Sequence, residues 1–275
     1  MCIRDSDRVI YAGHAHACHL KGWFKPSEIA GQLVAAAETD EGAFRLRKGW
    51  FLGDGTGCGK GRQVAGIIVD NWLNGRKRAV WVSKSDKLIE DAKRDWMALG
   101  GRESDIVPLS KFRQGSDIRL AEGILFVTYA TLRSAEREGK ASRLDQVVTW
   151  LGEGFDGVIA FDESHAMANA AGEKSARGDK KASQQGLAGL ALQNAVPDAR
   201  ILYASATGAT VVGNLAYASR LGLWGTGDFP FVTQAEFVSS MEAGGIAAME
   251  MISRDLKALG LYLARSLSYA GVEYD

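Results

Sequence analysis

The sequence predicts an α/β protein: a mostly parallel sheet with helices on both faces, arranged around a phosphate-binding loop and followed by a C-terminal helical extension. Three observations carry this expectation. A glycine-rich stretch at 53–62, G-D-G-T-G-C-G-K-G-R, stands between a short apolar run and an amphipathic one. Other apolar runs of strand length alternate with helical patterns, as parallel crossovers require. One of those runs ends in two adjacent carboxylates, Asp162 and Glu163, at the strand end where open α/β sheets bind ligands.

The loop comes first because its chemistry is the most specific. Trp50-Phe51-Leu52 reads as a strand, and helical spacing begins near Lys60. Gly55, Gly57 and Gly59 let the backbone turn tightly and aim successive N–H groups at anionic oxygens. The following helix N-terminus adds partial positive charge, and Lys60 can reach terminal phosphates. The nucleotide-binding set is therefore Asp54, Gly55, Thr56, Gly57, Cys58, Gly59, Lys60, Gly61 and Arg62. Two positions depart from the common pattern G-x-x-x-x-G-K-[ST]. Asp54 replaces its first glycine, and Gly61 replaces the Ser or Thr whose hydroxyl normally binds Mg²⁺.

Along the rest of the chain, residues 9–23 contain V-I-Y-A-G-H-A-H-A-C-H. His14, His16, Cys18 and His19 lack the paired spacing of a zinc site, and no second cluster completes four ligands. A loop or entry segment near the nucleotide is expected there. Residues 26–37 read as a helix, with Ser27 as cap, Glu28 in the first turn and Ile29, Leu33, Val34 and Ala37 on one face. After the loop, 61–74 reads as a helix through Val64, Ile67, Ile68 and Trp72, ending at Asn74-Gly75. The run 79–82 is a strand, and 85–99 is a helix with Leu88, Ala92, Trp96 and Leu99 inward. Further strands are expected at 106–109, 123–128, 157–161 and 200–204, with helices at 142–151 and 187–195. The polar stretch 169–185 has the composition of a mobile loop. Beyond Gly213 the pattern turns helical, with Thr233-Gln234-Ala235-Glu236 as a capping box and another amphipathic helix over 246–259.

Composition narrows the class without naming it. The chain has 275 residues, 46% hydrophobic and 24% charged, ordinary for a globular protein with one large core. Lys plus Arg and Asp plus Glu are both 33, so contacts to nucleic acid must come from local patches. Three separated cysteines form no disulfide framework and fit a reducing cytosol. No apolar run approaches the roughly 20 residues of a membrane span, and no signal peptide is visible. The first six residues, M-C-I-R-D-S, back-translate to a sequence resembling the transposon end used in preparing sequencing libraries. They are expected to be adapter read as protein, with the native chain starting further upstream.

The second half of the site is V-I-A-F-D-E-S-H at 158–165. Asp162 is placed to hold Mg²⁺, directly or through water, and Glu163 to orient and deprotonate an attacking water. Ser205-Ala206-Thr207 follows the strand at 200–204, where hydroxyls can bridge the acidic strand end to a moving element.

These pieces, in this order, resemble the first RecA-like domain of superfamily-two helicases and translocases. Asp162-Glu163-Ser164-His165 is similar to their D-E-x-H box, Ser205–Thr207 to their S-A-T motif, and 54–60 to the D-x-x-G-x-G-K form of Swi/Snf-type ATPases. Ser83, Lys84, Thr128 and Thr131 fall where this superfamily contacts the nucleic-acid backbone. More closely, G-D-G-T-G-C-G-K-G-R, V-A-G-I-I and G-R-K-R-A-V-W-V-S resemble the strawberry notch family and its bacterial and phage relatives, over nearly all of 7–275. In that family K-G-R is the usual form, so the missing hydroxyl at Gly61 is a family trait. Thr56 or a water remain alternatives for its place at the metal.

The resemblance implies ATP and Mg²⁺ as cofactors, Lys60, Asp162 and Glu163 as the catalytic set, and His165, Ser205 and Thr207 as the coupling set. It implies a nucleic-acid partner, DNA before RNA, and a cytoplasmic setting in a bacterial or phage-infected cell. It further implies that residues 43–225 form a RecA-like lobe, preceded by a segment at 7–42 and followed by a helical extension at 226–275. A second lobe, which supplies arginine fingers in such motors, is expected elsewhere. Arg220, Arg254 and Arg265 are isolated and expected on helix surfaces. An arginine finger is worth about 10³–10⁵ in turnover, so this chain is expected to hydrolyse ATP poorly alone. Two other readings stay open: a nucleotide-dependent interaction module without strand movement, and a P-loop kinase, which would leave the D-E-S-H and S-A-T stretches without a role.

Overall fold

The computed structural model describes residues 3–27, 33–134, 141–170, 182–206, 215–226 and 228–265. Helix α1 (Ile3–His16) buries Ala12, Ala15 and His16, which share one face at helical spacing. This corrects the loop expected over 9–23: the histidines disguised an amphipathic repeat. His16 donates from Nε2 to the Ile201 carbonyl at 3.0 Å. Burial, aided by nearby arginine charge, lowers its pKa to about 3, so it is a neutral core residue. Among the described residues no three of His, Cys, Asp and Glu gather as a metal cage.

Strands β1 (Trp23–Pro26) and β2 (Leu33–Ala36) pair antiparallel, with Trp23 opposite Ala36 and Phe24 opposite Ala35. They replace the helix expected over 26–37, of which Glu28 and Ile29 lie outside the described residues. Tertiary contacts override the local pattern. Phe24 exchanges both backbone hydrogen bonds with Phe44 at 2.9 Å and fills a small core with Leu20 and Leu46, a pairing that needs extended backbone.

Apart from α4 and β9, the remaining elements follow the expected order. They are β3 (Trp50–Leu52), α2 (Lys60–Leu73), β4 (Arg78–Ser83), α3 (Ile89–Met97), β5 (Ile106–Pro108), β6 (Gly123–Thr128), α4 (Tyr129–Leu132), α5 (Arg143–Leu151), β7 (Val158–Asp162), α6 (Gln184–Ala195), β8 (Arg200–Ala204), α7 (Gln234–Ala258) and β9 (Tyr262–Leu263). Ser142, Ser183 and Thr233 cap α5, α6 and α7, each accepting a backbone N–H from the third residue onward. Helix α7 breaks at Gly245, whose φ of 56° leaves the helical region. Residues 171–181, most of the polar stretch, lie outside the described residues.

Seven strands form one parallel sheet in the order β5-β6-β4-β7-β8-β3-β9. Helix α2 packs against both α1 and α3 in one layer, and α4, α5 and α6 contact one another in another. Covering on both faces explains why β3, β4, β6, β7 and β8 read as continuous apolar runs rather than alternating ones. Their side chains, among them Trp50, Trp81, Phe126, Phe161 and Tyr203, are almost fully buried.

Strand β9 was not expected. After α7 the chain re-enters the sheet beside β3, placing Tyr262 opposite Phe51. A Cβ on Gly53 would collide with the Tyr262 ring, so glycine is needed there for close approach. Arg220 and Arg265 also depart from their expected surface roles. Arg220 is fully buried, and its guanidinium donates to the carbonyls of Arg47, Gln193, Val196, Pro197 and Ala199. Arg265 reaches the phosphate loop, whereas Arg254 is exposed and pairs with Asp255 as expected of a surface residue.

Candidate nucleotide-binding site

The loop leaves β3 and folds back into α2 through Gly57 (φ 80°) and Gly59 (φ 74°), left-handed positions suited to glycine. Gly59 is the residue before α2, and its carbonyl accepts the Gln63 N–H at 3.2 Å. Thr56, Gly57 and Gly59 are exposed, so the turn faces solvent at a helix N-terminus, the arrangement that receives anions. Lys60 opens α2 and donates from Nζ to the Gly55 carbonyl at 3.2 Å.

Asp54 does not face the loop mouth as a free carboxylate. It is fully buried. Arg265 donates its backbone N–H to Oδ1 at 2.7 Å and its Nε to Oδ2 at 3.0 Å. Gln63 donates to Oδ2 at 3.1 Å and to the Cys58 carbonyl at 3.0 Å, and Arg8 lies 3.5 Å from Oδ1. The residue is an anchor for the loop rather than a contact to phosphate, since its acceptor sites are occupied from inside the protein. Cys58 is half-buried. Arg62 is exposed and lies 3.5 Å from Asp95.

Strand β7 carries Asp162 to the same end of the sheet. Its Oδ2 accepts from Trp81 Nε1 at 3.5 Å and from Ser83 Oγ at 3.4 Å, its Oδ1 from the Glu163 N–H at 3.0 Å, and its carbonyl from the Tyr129 hydroxyl at 2.9 Å. Burial first, then the adjacent Glu163 charge, pushes its pKa up to about 6, and the Lys60 ammonium pulls the other way. The Lys60 charge thus acts on Asp162, 102 residues further along the chain. Glu163 takes a left-handed backbone (φ 49°, ψ 47°), uncommon for a residue with a side chain. Its carboxylate lies 3.3 Å from His165 Nδ1.

His165 Nδ1 also lies 3.1 Å from Ser205 Oγ. Ser205 is fully buried and donates its N–H to the Leu52 carbonyl at 3.0 Å, which links β8 to the base of the loop. Ser164 meets Tyr217 hydroxyl to hydroxyl at 3.0 Å. His165 and Ser205, both expected in the coupling set, are thus in contact, and Thr207 lies outside the described residues.

Two of the expected backbone contacts change character. Ser83 and Thr128 are buried; the Ser83 hydroxyl goes to Asp162, and Thr128 Oγ1 caps α4 by accepting the Thr131 N–H at 3.1 Å. Neither hydroxyl is available to an external phosphodiester. Lys84 is exposed and Thr131 half-buried. Sequence reasoning missed Gln63, Trp81, Tyr129, Tyr217 and Arg265. Gln63 alone carried a local signal, as a polar residue on the inward face of α2; the others join the site from distant elements.

A glycine loop closing on a lysine, an acid pair at the end of the next strand but one and a histidine–serine contact, on a parallel sheet, define a P-loop NTP-hydrolase domain. Over residues 5–275 the sequence matches the family described as P-loop containing NTP hydrolase pore-1, and the chain belongs to that family. It is 46% identical over 230 residues to protein strawberry notch homolog 2 of Mus musculus, covering 83% of this chain and 16% of that protein. It is 42% identical over 273 residues to protein strawberry notch of Drosophila melanogaster, covering 96% and 16%. Protein FORGETTER 1 of Arabidopsis thaliana is 39% identical over 233 residues, covering 83% and 18%. The chain spans less than a fifth of the length of these relatives. In fold it is similar to the Sulfolobus solfataricus SWI2/SNF2 ATPase core in complex with double-stranded DNA, with a TM-score of 0.52 at 16% identity, over 80% of this chain and 40% of that one. No helix among the described residues is long and apolar enough to cross a membrane.

Proposed function

We propose that this chain is the ATP-binding lobe of a strawberry notch-type, helicase-like ATPase that acts on nucleic acid, DNA in preference to RNA. The observation that carries the proposal is topological: the parallel sheet brings the loop after β3 and the acid pair at the end of β7 to one edge, with β8 alone between them. Backbone amides of the loop from Gly55 to Gly61 would cradle phosphates, and Lys60 would bind the terminal ones. The donor set fits Mg²⁺, which keeps several waters and takes one or two carboxylates beside the phosphates rather than an all-protein cage. Asp162 would hold the ion, which when bound supplies neutralisation of phosphate charge. Glu163 would orient and deprotonate the attacking water. His165 and Ser205, in contact with each other and through Ser205 with the base of the loop, would relay the nucleotide state. Lys84 and Thr131 remain the candidate contacts to a nucleic-acid backbone.

ATPase activity of the full-length gene product, with and without DNA and RNA, tests this reading against Lys60→Ala and Glu163→Gln. Lys60→Ala should lose ATP binding, and Glu163→Gln should keep binding without turnover. Stimulation by nucleic acid supports the motor, whereas ATP-dependent partner capture without stimulation would replace it with an interaction module. The chain alone should turn over far more slowly than the full-length product, because a second lobe with its arginine finger is proposed to lie elsewhere in the longer protein.

A further inference from the structure

Gly61 stands where the common phosphate loop carries a serine or threonine whose hydroxyl binds Mg²⁺. The space for that side chain is already filled. A Cβ built on Gly61 would overlap Oδ2 of Asp95, with Cγ of the same carboxyl at 3.4 Å. Asp95 reaches this point from α3, which packs along α2. Its two oxygens are divided: Oδ1 faces Arg62 at 3.5 Å, and Oδ2 lies over Gly61. The Asp95 side chain is largely buried while that of Arg62 is 44% exposed; the Arg94 and Arg62 charges both act on the carboxylate, and Oδ2 is the oxygen held against the loop. An oxygen therefore occupies the volume of the missing hydroxymethyl group, delivered by another helix.

We propose that Asp95 supplies the oxygen that the loop lacks at Gly61, binding the nucleotide's Mg²⁺ directly or through one of the ion's waters. Mg²⁺ is a hard cation that prefers oxygen ligands, and a carboxylate serves it at least as well as a hydroxyl. The glycine is then a requirement of the site: any side chain at position 61 would displace the carboxylate. Gly61 and Asp95 form one unit, in which the volume given up at the loop is the volume taken by the acid. This inference rests on the Mg·ATP reading above.

Binding of a fluorescent ATP analogue to the purified chain, with Mg²⁺ and with EDTA, tests it, alongside thermal melts of each variant. Wild type should bind more tightly with Mg²⁺. Asp95→Ala should lose about tenfold of that metal-dependent gain, the scale on which groups around a metal act, while its affinity in EDTA is unchanged. Gly61→Ser alone should weaken Mg²⁺-dependent binding by displacing the carboxylate, and Gly61→Ser combined with Asp95→Ala should recover it. Asp95→Asn, which keeps the shape, guards against a folding defect and should lie between wild type and Asp95→Ala. Electron paramagnetic resonance of Mn²⁺ in the nucleotide complex should report weaker ion retention in Asp95→Ala. A full Mg²⁺-dependent gain in a folded Asp95→Ala overturns the inference and leaves the nucleotide site standing. Failure of wild type to bind the analogue under either condition overturns both.

Discussion

Asp54 and Arg265 are 211 positions apart and are joined by three hydrogen-bonding groups: the Arg265 backbone N–H and the side-chain Nε and Nη2, at 2.7, 3.0 and 2.9 Å. The Gly55 N–H closes the loop back onto the Arg265 carbonyl at 2.7 Å. The segment leaving β9 thereby clamps the phosphate loop from behind, and the carboxylate it holds has no exposure to water. The loop's shape depends on this returning segment as much as on its own glycines.

Removing the clamp should be costly. Arg265→Ala leaves a buried carboxylate with Arg8 as its remaining cationic partner, so unfolding in urea should show a loss of about 3–5 kcal/mol, the usual scale for breaking a buried pair. Nucleotide affinity should fall with it. A loss below about 1 kcal/mol, the range of an exposed pair, would mean the clamp is loose in solution.

Arg220 should prove a structural residue of the same weight. Arg220→Met keeps the volume but strands the carbonyls that the guanidinium joins. Each buried acceptor left unpaired costs about 1–3 kcal/mol, so Tm should fall steeply and Arg220→Lys should recover only part of it. A melting curve close to that of wild type would contradict the burial described above.

Two groups set opposing pH dependences. The Asp162 pKa is raised from 3.8 to about 6, so the folded protein holds a proton that the unfolded chain releases. The stability from that proton is complete below about pH 4 and is lost as pH rises through 6. The His16 pKa is lowered from 6.5 to about 3. Its contribution is complete above 6.5 and is lost as pH falls toward 3. Measured in EDTA, Asp162→Asn should gain about 2–3 kcal/mol over wild type at pH 7.5 and little at pH 4.5. His16→Gln should lose less stability than wild type between those two values. Parallel pH profiles for all three proteins would refute both assignments.

The left-handed backbone at Glu163 stores strain that glycine would release. Comparing Glu163→Gly with Glu163→Ala removes the carboxylate in both, so the difference isolates the backbone. The glycine variant should be more stable by about 1 kcal/mol, read from equilibrium unfolding. An alanine variant of equal stability would place Glu163 in an unstrained conformation.

Much of the fold was legible in the residues. The runs at 123–128 and 200–204 coincide with β6 and β8, and Ser142, Ser85 and Thr233 cap the helical segments that follow them. These features obey local rules: a buried parallel strand is apolar throughout, and a cap is a short-range hydrogen bond. The loop and the acid pair were legible for a related reason, because phosphate chemistry needs particular residue types at fixed spacing. The hairpin of β1 and β2 was misread as a helix, since Leu33, Val34 and Ala37 satisfy helical spacing and the deciding partner, Phe44, lies elsewhere in the chain.

The sequence by itself therefore determined the succession of strands from β3 to β8, the glycine loop with Lys60, and the acidic strand end at Asp162 and Glu163, because each is written in neighbouring residues. Tertiary structure alone decided that Arg265 holds Asp54, that Arg220 is buried, that Ser83 serves Asp162 rather than a ligand, and that Asp95 fills the space over Gly61. Those pairings join positions 21 to 211 residues apart or depend on which volume a packed helix leaves open. No periodicity in a single chain records which distant side chain will arrive to fill it.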